Sequence, residues 1–178
     1  METVDFLVLG AGVAGLMFAL EAARHGRVLV LTKTDREESN TRYAQGGIAA
    51  VWSPEDSPER HIEDTLVAGA GLCRRDAVEV TVRDAPERIR DLIDLGVRFS
   101  RRDEHPTEYD LHREGGHSKR RILHADDLTG AEMIRALLAA VDETPNIELR
   151  EHVHAVDLVT HNSLARRTGA IPEDQIGR

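Results

Sequence analysis

Aromatic side chains and cysteine are scarce in this chain of 178 residues, and positive charge is the minority charge. Phe, Trp and Tyr together make up only 3% of the sequence, so the aromatic platforms on which nucleic-acid bases stack are lacking. The net charge is −9, with 23 Lys and Arg residues against 32 Asp and Glu residues, which disfavours a surface for phosphate backbones. We therefore expect no nucleic-acid partner.

A single cysteine, Cys73, excludes an internal disulfide and indicates a reducing compartment, where we expect an inert, buried thiol.

Long hydrophobic runs are also rare. The one candidate, residues 6–20, follows Asp5 instead of a basic residue, contains three glycines, and is shorter than a membrane span of about 20 residues. It is therefore neither a signal peptide nor a membrane segment, and we expect a soluble, cytoplasmic protein with no membrane partner.

The three glycines of that stretch form the pattern GxGxxG between an apolar run at 6–9 and a helical pattern at 16–23. In a strand–turn–helix unit, Gly10 bends the chain, Gly12 admits a pyrophosphate to the backbone, and Gly15 permits close packing of helix on strand. The helix N-terminus then offers free N–H groups and a positive dipole end. Such turns also occur without a ligand, so the pattern alone leaves both readings open.

A second apolar strand, predicted at 27–32 after a helix C-cap at Gly26, favours the dinucleotide-binding reading. Its end departs from the usual pattern, in which an Asp or Glu binds the ribose hydroxyls. Lys33 stands there instead, and it either contacts phosphate or lies in solvent. Three carboxylates further on remain possible substitutes: Asp35, Glu37 and Glu38.

The rest of the sequence predicts an alternation of helices and strands, typical of an α/β domain with a largely parallel sheet. We expect a short helix at 61–69, one from Asp76 to Val82, a separate one beginning at Pro86 and ended by Gly96, and one after a Thr129–Glu132 capping box with Met133–Val141 apolar on one side. Strands are expected at 147–150 and 154–159, and an exposed loop at 100–110. Residues 1–160 would form a partial domain, with 161–178 a polar tail at a truncation point.

A second unusual segment, residues 111–124, concentrates three histidines, four cations and one carboxylate around Gly115–Gly116. A solvated basic loop is one interpretation. The other is a site where backbone approaches a ligand closely and local positive charge attracts a small dicarboxylate. The three histidines lack the spacing of metal ligands and no Cys or Asp pair completes a shell, so we expect no metal: His112, His117 and His124.

Together, the segments 10–15, 39–50, 113–118 and 124–130 resemble the L-aspartate oxidase family, within the group of succinate dehydrogenase and fumarate reductase flavoproteins. The resemblance runs from about residue 4 to about residue 160. It implies a Rossmann-like FAD-binding domain that is incomplete at its C-terminus. The residues that it places at FAD are Gly10, Ala11, Gly12, Val13, Ala14, Gly15, Lys33, Asn40, Thr41, Arg42, Tyr43, Ala44, Gln45, Gly46 and Gly47.

Two positions separate this chain from other members of that group. Relatives with covalently bound flavin carry a His where this chain has Asn40, whose amide forms no such bond, so the resemblance implies non-covalent FAD. Where succinate and fumarate enzymes usually have an aromatic residue, Glu114 would bind the α-ammonium of aspartate in a closed site. The plain alternative is a Glu paired with a neighbouring Arg. His117 is a further catalytic candidate.

The implied reaction is FAD-dependent oxidation of L-aspartate to iminoaspartate, with oxygen or fumarate as acceptor, as the first step of NAD biosynthesis. Quinolinate synthase would be the functional partner downstream. The family's main catalytic Arg and His residues, and an Ala-Thr-Gly-Gly strand, lie beyond these 178 residues, so we expect this chain alone to be inactive. A soluble fumarate reductase flavoprotein and a non-catalytic flavin-binding module are the alternatives.

Overall fold

The computed structural model describes residues 2–160. In chain order its elements are β1 (Phe6–Leu9), α1 (Val13–Ala22), β2 (Val28–Leu31), β3 (Ile48–Ala49), α2 (Pro58–Ala68), α3 (Arg75–Asp94), β4 (Leu111–His112), β5 (Ile122–Leu123), α4 (Thr129–Asp142) and β6 (Ile147–Arg150). Within the described residues, no helix has both the length and the apolar character needed to cross a membrane.

A parallel sheet with strand order β1-β2-β6 confirms the predicted α/β class. Side chains alternate between the two faces of each strand. On one face Val8, Val28 and Val30 are buried in a cluster with Ala19 of α1. On the other face Leu7 and Leu9 of the edge strand stay 49% and 58% exposed. Helix α1 therefore covers one side of the sheet, and it packs in turn against α4.

A second, antiparallel sheet with order β3-β5-β4 was not predicted. Its strands have two residues each, too short for an alternating pattern to stand out in the sequence. Ile48 pairs with Leu123, and Leu111 also pairs with Leu123 from the other side. This sheet joins the end of the 39–47 loop to both ends of the 113–121 loop.

The predicted break before Pro86 is wrong, because α3 is one helix with Pro86 inside it. Val82, Ile89 and Leu92 are all buried, so a single apolar stripe continues past the proline. Packing along that stripe outweighs the backbone hydrogen bond that proline removes. Asp76 lies in the first turn and is not the N-cap, whereas Gly96, with φ +94°, ends the helix as expected.

The predicted capping box at the start of α4 is also wrong, because the N-cap is Leu128 and no side chain caps the helix. The Thr129 hydroxyl instead accepts a hydrogen bond from the N–H of Ala125 at 3.0 Å. Glu132 accepts from the Arg98 N–H and from the Arg135 guanidinium. The side chains of Thr129 and Glu132 therefore bond to other parts of the chain and do not cap the helix. The predicted apolar side is confirmed, since all five of its members are buried: Met133, Ile134, Leu137, Leu138 and Val141.

Three smaller predictions are corrected. The C-cap of α1 is Ala23, and Gly26 is needed because a Cβ there would meet the Asp5 side chain at 2.5 to 2.7 Å. Residues 154–159 form no strand, and Val156 is 93% exposed. Cys73 is only partly buried.

Two other predicted segments have simpler outcomes. The 100–110 segment is largely exposed as predicted, although Arg101 and Tyr109 bridge across it. The predicted tail at 161–178 lies outside the described residues.

Candidate flavin and substrate site

The glycine-rich turn has the geometry that its sequence predicts. Gly10 takes a φ of +103°, a region that favours glycine, and its N–H donates to the Leu31 carbonyl at 2.8 Å. A Cβ on Gly15 would collide with the Gly10 carbonyl oxygen and lie 3.3 Å from Cγ1 of Val8. These two glycines therefore let α1 pack tightly against the end of β1.

The N-terminus of α1 is open to an anion. Gly12, which has no side chain to cap the helix, is its N-cap, and its first turn contains no acidic residue. A Cβ on Gly12 would meet only the Thr41 hydroxyl, at 3.5 Å, and that hydroxyl accepts from the Val13 N–H at 3.3 Å. A helix dipole and backbone N–H groups at an N-terminus with a glycine N-cap suit a pyrophosphate, so these residues fit the phosphates of FAD.

The 39–47 loop is held against two other parts of the chain. Its Ala44 carbonyl accepts from the N–H of Gly130, and a Cβ on Gly130 would collide with the Thr41 carbonyl oxygen. A Cβ on Gly47 would collide with the Leu123 carbonyl oxygen. Residues 43–47 are nevertheless exposed. One side of the loop is thus held by the N-terminus of α4 and by β5, while the other side faces solvent.

The acidic residues after β2 are occupied by protein partners. Lys33 is exposed. Each of the three candidate ribose-binding carboxylates lies beside another side chain: Asp35 is 3.1 Å from His152, Glu37 binds Arg42, and Glu38 accepts from the Tyr43 hydroxyl at 2.7 Å. The hydrogen bond to Glu38 raises the pKa of Tyr43, which keeps the phenol protonated as a donor. The sequence pattern alone gave no sign of these pairings.

The structure brings Glu114 next to the 39–47 loop. Its Oε1 would lie 3.9 Å from a Cβ built on Gly46. Within residues 2–160, no ion pair involves the Glu114 carboxylate, so the alternative of an Arg-bound glutamate is not what these residues show. The carboxylate is exposed, however, and the expected enclosure is not formed by the described residues. Two segments that are far apart in the sequence thus meet at Gly46 and Glu114.

A buried charge network lies beneath the 113–121 loop. The Arg121 guanidinium, fully buried, donates to Asp56 at 2.8 and 2.9 Å and to Asp64 at 2.6 Å. Asp64 also accepts from the Ser118 N–H at 2.8 Å and hydroxyl at 2.7 Å. Burial alone would raise the pKa of Asp64, but the hydrogen bonds from Ser118 and Arg121 outweigh it and lower that pKa to about 2. His117 turns toward the network, with Nδ1 3.3 Å from Arg121 Nη1.

This network changes the charge expected for the loop. Of its four cations, Arg121 is neutralised by two carboxylates that the sequence analysis did not single out, Asp56 and Asp64. The other three, Arg113, Lys119 and Arg120, line an open cleft of about 1090 Å³. Three acidic residues besides the Arg121-bound Asp56 line the same cleft: Glu55, Glu108 and Asp110. The cleft therefore has mixed charge and is not the uniformly basic loop of one sequence interpretation.

A helix with a glycine N-cap after a glycine turn, beside a parallel sheet, is the arrangement of a dinucleotide-binding domain. Comparison with known families agrees. A profile described as "FAD binding domain" matches residues 5–176, and the chain belongs to that family. FAD is therefore the cofactor that this family membership assigns to the site.

Relatives named L-aspartate oxidase confirm the predicted resemblance. The chain is 53% identical over 156 residues to L-aspartate oxidase 2-b, chloroplastic, of Nicotiana tabacum, covering 88% of this chain and 24% of that protein. It is 50% identical over 165 residues to L-aspartate oxidase of Pseudomonas aeruginosa, covering 90% and 31%. The chain thus spans about a quarter to a third of the length of the curated relatives it matches.

Solved structures show the same fold. An E. coli quinol fumarate reductase superposes with a TM-score of 0.82 at 32% identity, covering 89% of this chain and 28% of that chain. The structural similarity therefore extends to the fumarate reductases, which belong to the wider flavoprotein group that the sequence motifs resemble.

Proposed function

We propose that the protein to which this chain belongs oxidises L-aspartate to iminoaspartate with FAD, and passes the electrons to oxygen or fumarate. The observation that carries the proposal is the position of Glu114 beside Gly46, where a carboxylate adjoins the loop expected to surround the flavin. The identity of 45 to 53% to relatives named L-aspartate oxidase supports it. A place at the first step of NAD biosynthesis, a link to quinolinate synthase and a cytoplasmic location follow as parts of the same proposal.

The residues of this chain would hold FAD in two places. The N-terminus of α1, open above Gly12, would take the pyrophosphate, with Lys33 at the adenosine end. The 39–47 loop would take the ribityl chain and ring system. FAD, when bound, supplies the acceptor for the hydride that leaves the aspartate α-carbon. Asn40 has no ring nitrogen for a covalent bond, so the cofactor is held by contacts alone.

Glu114 would select the amino acid over a plain dicarboxylate. Its carboxylate is a hydrogen-bond acceptor with no ion-pair partner among residues 2–160, so it is available to a ligand. The α-ammonium of aspartate offers a charge-assisted hydrogen bond that fumarate cannot. The role of this side chain is then to bind and orient the substrate, which is how most catalytic advantage arises when a cofactor supplies the chemistry.

The test is Glu114→Gln in the full-length holoenzyme, with Glu104→Gln in the exposed 101–108 segment as a matched control. We expect kcat/KM for aspartate oxidation to fall by about 10- to 100-fold, the size of a lost hydrogen bond to a charged group, while fumarate reduction is kept. Equal loss of both activities would contradict ammonium recognition. Normal aspartate oxidation would remove Glu114 from the site.

A soluble fumarate reductase is the second candidate, favoured by the 0.82 TM-score to the E. coli enzyme. The two proposals differ in the donor of electrons. Fumarate turnover by chemically reduced flavin, with no oxidation of aspartate under any condition, would favour the reductase. Aspartate-dependent flavin bleaching in the absence of oxygen would favour the oxidase.

A further inference from the structure

Three potential metal ligands lie on one face of the small antiparallel sheet. Asp110 directly precedes β4 and His112 ends it, and side chains two positions apart in an extended segment share a face. The pairing of Leu111 with Leu123, extended by one residue, sets His124 opposite Asp110. Residues directly opposite also share a face. The fold thus gathers two imidazoles and one carboxylate that the sequence separates.

The distances between these side chains match a coordination shell. Oδ2 of Asp110 lies 3.4 Å from Nε2 of His112 and 3.4 Å from Nε2 of His124. Around Zn²⁺, bonds of about 2.0–2.1 Å at tetrahedral angles separate ligand atoms by roughly 3.4 Å. One ligand atom from each of the three residues lies within 4.8 Å of the other two. The two imidazole rings are stacked, with centroids 3.7 Å apart. Binding one ion would require the rings to turn so that one nitrogen of each histidine points at the metal.

The state of His124 points independently to a ligand. The side chain is nine-tenths buried, and among the described residues neither ring nitrogen has a hydrogen-bond partner. The 3.4 Å approach of Asp110 to Nε2 lacks the directionality of a hydrogen bond. An unpaired buried polar group is costly, and a metal ion at Nε2 would remove part of that cost.

We propose that Asp110, His112 and His124 form a site for a divalent transition metal such as Zn²⁺. The N₂O donor set suits that ion, and the partial exposure of Asp110 and His112 leaves a fourth position for water. The ion would join β4 to β5 at the base of the 113–121 loop, which carries Glu114. The expectation of no metal rested on spacing along the chain, which does not reveal the pairing of these strands.

The test uses the FAD-loaded protein as its cells make it, treated with a chelator and dialysed against Zn²⁺ alone. We expect about one Zn²⁺ per chain, and loss of at least tenfold in affinity for His112→Ala and for Asp110→Asn. His105→Ala, an exposed histidine of the neighbouring loop, is the matched control and keeps full affinity. Both ligand positions are partly exposed, so these variants should fold, which near-native melting of the zinc-free proteins would verify.

A second readout is the visible absorption of Co²⁺ bound in place of Zn²⁺, which reports nitrogen and oxygen ligation at low coordination number. Loss of that spectrum in His112→Ala but not in His105→Ala would support the site. The proposal is overturned if Zn²⁺ fails to bind above the level of nonspecific sites, or if both ligand variants bind it as well as the control. The cluster would then be a stacked histidine pair beside a carboxylate.

Discussion

The guanidinium of Arg121 binds both carboxylate oxygens of Asp56, with Nε to Oδ2 at 2.8 Å and Nη2 to Oδ1 at 2.9 Å. Both side chains are almost completely buried, at 0% and 1% exposure. The pair links the segment before α2 to the end of the 113–121 loop. Because Ser118 binds Asp64, which Arg121 also contacts, this network holds the loop that carries Glu114.

Asp56→Asn should destabilise the fold strongly. It leaves the buried Arg121 charge with Asp64 as its remaining partner, and breaking a buried ion pair costs about 3 kcal/mol or more. The free energy of unfolding, measured by urea titration, reports the change. The exposed neighbour Glu55 provides the matched control as Glu55→Gln, which should stay within about 0.5 kcal/mol of the parent. Similar values for the two variants would contradict the ion pair.

Asp64 should make stability depend on acid pH. Its pKa in the fold is about 2, below the ordinary value of 3.8 for an aspartate, so the folded state binds fewer protons than the unfolded state. The resulting stabilisation, roughly 2 kcal/mol, is fully present above pH 3.8 and is lost as pH falls toward 2.

This pH dependence is measured by comparing the parent with Asp64→Asn. The stability difference between them should be largest at pH 5 and should shrink on acidification toward pH about 2. Asp84→Asn, at an exposed position of α3, should run parallel to the parent at every pH. A constant difference for Asp64→Asn would show that its effect is not electrostatic.

Two glycines of the turn should respond differently to alanine. Gly12 has φ −79° and ψ 174°, an extended conformation open to alanine, and the added Cβ meets only Thr41 at 3.5 Å. We expect Gly12→Ala to change apoprotein stability by less than about 1 kcal/mol while weakening FAD binding at least tenfold. Gly15→Ala, whose Cβ collides with the Gly10 carbonyl, should destabilise the apoprotein itself.

Fluorescence titration with FAD and thermal melting of the apoprotein separate these two effects. Unchanged FAD affinity in Gly12→Ala would mean that the pyrophosphate does not lie over this residue. A normal melting temperature for Gly15→Ala would contradict the close approach of α1 to the end of β1.

The flavin should leave the polypeptide on denaturation. The sequence resemblance aligns Asn40 with the histidine that carries covalent flavin in some relatives, so we expect all flavin absorbance in the filtrate after acid precipitation of the holoprotein. Free FAD treated in the same way calibrates recovery. Yellow colour retained in the pellet, together with a polypeptide mass raised by one FAD, would contradict non-covalent binding.

Local features of this chain were predictable from its sequence. The strand–turn–helix unit was predicted correctly because its needs are local: Gly10 takes the positive φ of the turn, and a Cβ on Gly15 would collide with the Gly10 carbonyl. The apolar side of α4 was correct for the same reason, since a periodicity of 3.6 residues already specifies a buried face. The helix start predicted at Pro86 was wrong, because the packing of Val82 and Ile89 on either side of the proline outweighs its local preference for a first turn.

Contacts across long stretches of chain were not predictable. Arg121 meets Asp56 and Asp64 from 65 and 57 positions away, and neither carboxylate lies in a recognisable motif. His124 faces Asp110 only because β4 and β5 pair in one register. A shift of that register by one residue would place the two side chains on opposite faces.

The sequence by itself determined the glycine-rich strand–turn–helix unit and the α/β class, because these depend on glycine geometry, helix termini and apolar periodicity over short distances, and its resemblance to a known family indicated the flavoprotein class. Only the tertiary structure decided which charges are buried and paired, that Glu114 stands beside Gly46, and that Asp110 joins two histidines. The physical reason is that electrostatic pairing and ligand geometry depend on distances in space, which the packing of helices and the register of strands set together.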